Sequence, residues 1–260
     1  MSPRDPSRRS ALTAGLLLGP LAFANVKADS AALRVGYWDN PPDVVAYQRS
    51  GMDGPVRAVV EHAAAAAGCR IDWRRTVLAK GLEDLGAGRL DALAYISQVT
   101  PERATFGWGG ASMGQRAREM HFALRKSDGR VIERWSDLKG LKIGFVKGRY
   151  YFRRFHEDDT LIAVGLGSET EMAHSIMSGE IDIILTNNRL RLQQQLLLAG
   201  FNEIRFAALT VREDQDVILL NSRAPEVEPA LRRLDQQISE MRRRGVIADI
   251  FVAYGVAPPK

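Results

Sequence analysis

Residues 90–103 read LDALAYISQVTPER and place an arginine just after an apolar run. The segment 90–96 has the length and composition of a buried β-strand, and Thr100 with Pro101 marks the start of a helix. In open parallel sheets, ligands sit beyond the carboxyl ends of the strands, which is where Arg103 follows. The same position also suits a surface arginine at a helix start that pairs with a nearby acid. The rest of the sequence is needed to choose between these two interpretations of Arg103.

The segments on the N-terminal side of residue 90 alternate between strand and helix patterns. Apolar or alternating strands are predicted at 32–38, 71–77 and 90–96, and helices at 54–68 and 81–88. Pro55 occupies a first-turn position of the first helix and Gly68 a stop position. This alternation is typical of a parallel sheet covered by helices.

The same pattern starts again after residue 120. Strands are predicted at 141–146, 161–167 and 181–187, and helices at 149–157, 169–178 and 189–200, with Ser168 and Glu171 as a capping box. Strand-rich crossings at 118–126 and 212–222 join the two blocks, and two helices close the chain at 224–245 and 246–255. Two α/β blocks joined by two crossings predict two lobes, with a cleft between them as the expected small-molecule site.

Residues 1–28 have the pattern of an export signal. A basic start is followed by the apolar run ALTAGLLLGPLAFA and by small residues suited to cleavage after Ala24 or Ala28. The run is shorter than the roughly 20 apolar residues of a membrane-spanning helix. Arg8 and Arg9 resemble a twin-arginine signal, but Ala11 replaces the large apolar residue that such signals prefer, so Sec and Tat export both stay open.

Charge and cysteine content narrow the class of protein. Residues 1–28 hold four basic residues and one acidic residue, a net +3 of the formal +5, so about +2 remains for the mature chain. That charge is too small to predict nucleic-acid binding. The one cysteine, Cys69, cannot form an internal disulfide and is expected to be buried as a small apolar residue.

The sequence resembles the family 3 bacterial extracellular solute-binding proteins, the periplasmic receptors typical of polar amino-acid ABC transporters. The resemblance covers nearly all of the mature chain and rests on LRVGYWDNPP, LGAGRLDAL, TPERATFGW, SDLKGLKIGFVKG, MSGEIDIILTN and LRRLDQQISEMRRRGVIADIFVAYG, in the order typical of the family. It implies an α/β two-lobe periplasmic-binding-protein fold of type II, with two parallel-sheet lobes joined by a two-strand hinge. The first lobe would comprise residues 29–113 and 213–260, and the second residues 114–212. It also implies a periplasmic monomer that binds a small anionic or zwitterionic solute, closes about residues near 114–118 and 208–213, and docks on an inner-membrane ABC permease.

The resemblance assigns the ligand's α-carboxylate to Arg103. A guanidinium offers a planar fork of donors that matches a carboxylate bidentately. In this family, small hydroxyl residues before the arginine usually help to bind the carboxylate; the nearest matches here are Ile96, Ser97 and Gln98, so only part of that set is retained. In the second lobe, the usual Gly-Ser/Thr turn at a helix start becomes Gly148-Arg149, which keeps backbone donors and adds charge.

The sequence departs from the family pattern at Asn187, where amino-acid binders usually carry an aspartate for the α-ammonium. Leaving a buried charge without its partner costs about 3–5 kcal/mol. We therefore expect amine-free carboxylates to bind at least as well as ordinary amino acids. The candidate walls for the rest of the ligand are Tyr37, Trp38 and Leu78, each of which could equally be core packing.

Other functions are weighed against this one. Residues 110–114 match G-x-S-x-G, but no strand-turn-helix surrounds Ser112, so a nucleophile elbow is not expected. The four histidines lack metal-ligand spacing and no nucleotide-binding loop is present, so no metal and no cofactor are expected. Two alternatives stay open: a ligand-sensing partner protein without a transport role, and a cyclohexadienyl-dehydratase-like enzyme on the same fold whose acid would be Glu157, Glu171 or Glu180.

Overall fold

The computed structural model describes residues 32–47 and 51–260, so the predicted export signal lies outside the described residues. None of the helices in these two ranges combines the length and the apolar character needed to cross a membrane. The elements up to residue 109 are β1 (Leu33–Tyr37), β2 (Val45–Tyr47), β3 (Gly51–Asp53), α1 (Pro55–Ala67), β4 (Ile71–Arg75), α2 (Leu78–Gly86), β5 (Ala92–Ile96), α3 (Pro101–Ala104) and β6 (Trp108–Gly109).

The chain then forms a second set of elements. They are β7 (Gln115–Arg125), a 3₁₀ helix (Trp135–Leu138), β8 (Lys142–Val146), α4 (Arg153–Glu157), β9 (Ile162–Leu166), α5 (Glu169–Ser178), β10 (Ile183–Thr186), α6 (Arg189–Leu198) and β11 (Ile204–Asp216). It ends with β12 (Ile218–Asn221), α7 (Glu228–Arg243) and α8 (Val246–Ala253).

The first sheet has the strand order β4-β1-β5-β12-β6. Strands β4, β1 and β5 run parallel, and β12 and β6 extend them in antiparallel pairing. In β5, Ala92 and Ala94 pack with α1, α7 and α8, and Leu93 between them packs with α2. The alternation breaks at Tyr95, whose φ is 64°, so that Tyr95 lies on the Ala94 side and Ile96 packs with α2. We call this sheet with its helices the first lobe.

The second sheet has the order β11-β7-β10-β8-β9 and repeats the design. Strands β10, β8 and β9 are parallel, and β7 and β11 are antiparallel to their neighbours. One face packs against α4 and the 3₁₀ helix, and the other packs against α5 and α6. We call this sheet with its helices the second lobe. The fold is therefore the expected two-lobe α/β fold, but each sheet is mixed and not purely parallel, with three parallel strands on one side and two strands in antiparallel pairing on the other.

The two passages between the lobes lie side by side. The pairing of β7 with β11 begins where Gln115 lies opposite Asp216 and continues into the second lobe. Just before it, the N–H of Met113 donates to the carbonyl of Val217 at 2.8 Å. Because β11 pairs in the second sheet up to Asp216 and β12 begins at Ile218, the return passage lies at residues 216–218. The predicted division of the chain at residues 113 and 212 stays a prediction.

Several sequence expectations about single elements are confirmed. Pro55 begins α1, and Gly68 ends it with a left-handed φ of 68°. The Ser168 side chain accepts from the N–H of Glu171 at the start of α5. Cys69 is buried, and burial raises the pKa of its thiol. The predicted crossing at 212–222 differs more, since β11 begins at Ile204 and a separate strand, β12, follows it.

Candidate functional site

A cavity of about 40 Å³ lies between the two lobes. Its first-lobe walls come from the carboxyl ends of β1 and β5 and from α2, and its second-lobe walls from the ends of β8 and β10 and from β7 and β11. The residues lining it are Trp38, Asn40, Leu78, Tyr95, Ile96, Ser97, Arg103, Arg118, Arg149, Tyr150, Asn187 and Gln215. Three of these side chains are arginines and none is acidic.

Arg103 is positioned by the start of α3. Thr100 caps this turn by accepting from the N–H of Arg103, and Pro101 follows in the first turn. Arg103 as a whole is 4% exposed, and its guanidinium donates to two carbonyl oxygens, those of Gln98 and Gly148, at 2.7 Å each. The second bond joins the two lobes.

Arg103 is a buried charge without an acidic partner. Among the described residues, no carboxylate forms an ion pair with it, and burial lowers its pKa to about 10. A guanidinium with that pKa remains protonated at neutral pH. Buried charges in proteins are usually paired, so this arginine has the electrostatic character of an anion-binding group.

Arg149 follows β8 and the left-handed Gly148, whose φ is 80°. It lines the cavity and donates from Nη1 to Glu169 at 2.9 Å, and Glu169 also lies 3.8 Å from Arg191. Burial alone would raise the pKa of Glu169, but the charges of Arg149 and Arg191 hold it below its usual range. Arg149 is thus already paired, unlike Arg103.

Arg118 is a cavity residue that sequence reasoning missed. It lies on β7, over the ring of Tyr95 at 5.2 Å, and donates from Nη2 to Asp43 at 2.8 Å. Asp43 has no exposed surface and also receives the Tyr95 hydroxyl at 2.6 Å and lies 3.1 Å from Arg116. Tyr95 is the one non-glycine residue with positive φ (64°) in the described ranges. Backbone strain of this kind is concentrated at functional sites.

The remaining predicted site residues divide into three groups. Trp38, Leu78, Ser97 and Asn187 line the cavity together with Arg103 and Arg149. Gln98 and Gly148 border a wider groove of about 970 Å³ that shares Arg103 and Arg149. Tyr37 reaches neither space, because its ring is buried in the first-lobe core, nearly perpendicular to the ring of Trp73.

The groove at the mouth of the cavity also contains Tyr150 and His156. Their rings stack at 5.1 Å, and Nε2 of His156 accepts from the N–H of Tyr151 at 3.2 Å. Partial desolvation of a ring that keeps one exposed face, and then the charge of Arg103, lower the pKa of His156. The imidazole is therefore neutral at pH 7 and supplies no second cation beside Arg103.

The residues considered for catalysis have structural contacts. Glu157 pairs with Arg153 at the groove, Glu171 accepts from the N–H of Gly167, and Glu180 accepts from Ser175. Ser112 donates to Asp216 at 2.8 Å within the passage between the lobes. No group of three or more histidine, cysteine or acidic side chains suited to a metal ion occurs among residues 32–47 and 51–260.

No protein-family model and no curated protein matches the sequence. Solved structures do match it over most of its length. An ancestral arginine-binding protein bound to arginine is 17% identical with a TM-score of 0.61, covering 86% of this chain and 97% of that one. The substrate-binding protein of an amino acid ABC transporter is 14% identical with a TM-score of 0.61, covering 86% and 99%.

This chain has the periplasmic-binding-protein fold. A histidine kinase sensor domain described as similar to periplasmic binding proteins adds a third match, 17% identical with a TM-score of 0.62, covering 88% of this chain and 98% of that one. The periplasmic-binding-protein fold is thus shared here by transport-related binding proteins and a sensor domain. At these identities the similarity establishes the fold, and the ligand has to be argued from the site.

Proposed function

We propose that this protein is an exported, periplasmic solute-binding protein that captures a small carboxylate or amino acid between its lobes. It then delivers the ligand to an inner-membrane ABC permease, and it acts as a monomer without a catalytic step. The observation that carries the proposal is Arg103, a buried arginine at the cleft whose hydrogen bonds go to carbonyl oxygens and not to an acid.

The electrostatics of the cleft favour an anion. Removing a cation from water is costly unless an opposite charge compensates it, and a bidentate carboxylate matches a guanidinium both in charge and in shape. The structural neighbours add weight, since those described as arginine-binding or amino-acid-transporter proteins share this fold.

Binding requires the lobes to move. The enclosed cavity of about 40 Å³ is close to the volume of one water molecule, about 30 Å³, so a carboxylic acid reaches Arg118 and Asn187 only when the cleft opens, whereas the wider groove already extends to Arg103 and Arg149. The bond from Arg103 to the carbonyl of Gly148 would break on opening, and a ligand carboxylate would take over that donor on closing. Hinge closure around ligands is a common transition in proteins of this architecture.

The test is Arg103→Ala, measured by titration calorimetry against the best ligand from a thermal-shift panel of carboxylates and amino acids. A ligand at about 100 times its Kd stabilises a protein by about 2.7 kcal/mol, which makes the panel sensitive. Truncating one partner of a buried charged pair costs about 2–5 kcal/mol, so affinity should fall between ~30-fold and several-thousand-fold.

Arg89→Ala is the matched control, because Arg89 is an exposed arginine of the first lobe that pairs with Asp84 away from the cavity. It should bind as the parent does. Parent-like binding by Arg103→Ala, or a panel in which no carboxylate and no amino acid raises the melting temperature, would refute the proposal.

A second candidate function is ligand sensing for a membrane complex without transport, which the similarity to a histidine kinase sensor domain favours. The two candidates share the ligand site and differ in the partner. A permease gene and an ATPase gene beside this one, with loss of ligand uptake on deletion, support transport. Normal uptake after deletion supports sensing.

A further inference from the structure

The cleft contains more positive charge than its own acids compensate. Five arginines take part in the cavity lining or in the ion pairs behind it: Arg103, Arg116, Arg118, Arg149 and Arg191. Three acidic side chains form ion pairs with arginines of this group: Asp39, Asp43 and Glu169. Five positive charges less three negative ones leave +2 around the cavity.

The acids of the wider groove do not cancel this excess. Glu102, Glu157 and Asp214 are exposed, where water and salt screen them, and Glu157 already pairs with Arg153. Glu213 accepts from Gln215 and from the N–H of Arg153. Glu213 keeps its negative charge, so the excess of positive charge is confined to the cavity itself, whose lining contains three arginines and no acid.

Arg118 has the geometry of a ligand-binding group, because it is held in place and still has N–H donors available for a ligand. Its one hydrogen bond within the described residues uses Nη2 on Asp43, which leaves Nη1 and Nε without a described partner. Its plane is fixed from behind by Asp43 and beneath by the ring of Tyr95. Such anchoring holds a guanidinium in one orientation and reduces the entropy lost when it binds a ligand.

Arg103 and Arg118 are held by different elements. Arg103 is fixed at the start of α3 by the carbonyls of Gln98 and Gly148, and Arg118 is fixed on β7 by Asp43. Two independently anchored forks suit two separate planar anionic groups better than one tetrahedral anion.

We propose that the ligand is a small dicarboxylate, with one carboxylate on Arg103 and Arg149 and the second on Arg118. This inference rests on the proposed function and narrows its ligand class. An α-ammonium group would have no carboxylate to pair with, since none of the cavity-lining residues is acidic. A dianion also offsets the positive charge of the three arginines that line the cavity.

The test compares each dicarboxylate with its own monoamide, which has nearly the same shape and one charge fewer. We would titrate succinate and glutarate against succinamate and glutaramate, with L-glutamate and inorganic phosphate as further probes. A charged hydrogen bond contributes about 1.5–3 kcal/mol, so at least one dicarboxylate should bind the parent ~10- to ~150-fold more tightly than its monoamide.

Arg118→Gln should reduce that preference to within about threefold. Arg116→Gln is the matched control, because Arg116 contacts the same Asp43 but does not line the cavity, so both ligands should change by the same factor. If Arg118→Gln does not fold, Arg118→Lys keeps the charge without the fork, and the parent's preference for the dicarboxylate already tests the ligand class.

Equal binding of dicarboxylate and monoamide by the parent would overturn the inference while leaving the proposed carboxylate receptor intact. So would an unchanged preference in Arg118→Gln, or tighter binding of phosphate than of every dicarboxylate. If the dicarboxylates and their monoamides fail along with every other carboxylate and amino acid, both the inference and the proposed function fall.

Discussion

Asn187 decides how the cleft treats an amine. It lies just after β10, on the second-lobe side of the cavity. Asn187→Asp is nearly isosteric and adds one negative charge opposite the arginines. Like charges at close range repel, so the variant should weaken amine-free carboxylates by about tenfold or more and improve the matching α-amino acids.

Calorimetry of succinate and L-aspartate against the parent and Asn187→Asp measures this, with Asn188 left intact as the cap of α6. A variant that weakens both ligands equally would mean that the new charge does not face the ammonium position. The anion site at Arg103 would stand in that case, but the interpretation of Asn187 would not.

Among single residues, the charged side chains that directly follow a strand could be predicted from the sequence. Those that contact a residue distant in the chain could not. Arg103 and Arg149 could be proposed because each follows a predicted strand within a recognisable motif. Arg118 and Asp43 are 75 positions apart, and no local pattern links them. Tyr37 shows the opposite error, since an aromatic residue at a strand end looks the same in sequence whether it faces the cleft or the core.

Secondary-structure elements could be predicted where capping residues, prolines or glycines stand at their ends. The proline and glycine around α1 and the Ser168 cap of α5 gave bounds close to those observed. Strand β11 was found only in its last part, because it is an edge strand of the second sheet with few buried residues. Helix α3 has four residues, too few for a helical period, although it positions Arg103.

Gly114 lies where the chain leaves the first lobe, directly before β7. Its φ is 127°, and a Cβ there would lie 2.7 Å from Pro259 and 2.9 Å from the carbonyl oxygen of Lys260. Gly114→Ala therefore combines backbone strain with a clash and should lower the free energy of unfolding by about 1–3 kcal/mol. In thermal denaturation, each kcal/mol corresponds to a fall of roughly 2–4 °C for a chain of this size.

Gly129→Ala is the control for this prediction, because an added Cβ at Gly129 meets nothing within 4 Å and its φ is not positive. Its melting temperature should stay within about 1 °C of the parent, in line with the small effect of most surface substitutions. If Gly114→Ala and Gly129→Ala have the same melting temperature, the packing of residues 259–260 on the hinge does not contribute to stability.

The whole molecule is closed by few contacts between the lobes. Beside the passages, Arg116 and Arg118 at the start of β7 bind Asp43 of the first lobe. Elsewhere, Arg103 donates to Gly148, and Arg191 on α6 donates to the backbone carbonyl of Asp39 at 3.1 Å and to its carboxylate at 3.4 Å. Both contacts cross the cleft, whereas the adjacent passages at 110–115 and 216–218 hold the lobes together at one side. This arrangement allows rotation about the passages without disturbing either core.

We therefore expect small-angle scattering to give a smaller radius of gyration at saturating ligand than without ligand. Arg191→Gln removes one closing contact and should raise the ligand-free radius. An exposed ion pair contributes at most about 1 kcal/mol, so affinity should fall by no more than about fivefold, in proportion to the lost closed population. Arg57→Gln is the control, because Arg57 pairs with Glu61 inside α1 and crosses no cleft. A radius that saturating ligand leaves unchanged would exclude closure as the binding mechanism, since ligand would then have to enter a cleft that does not move.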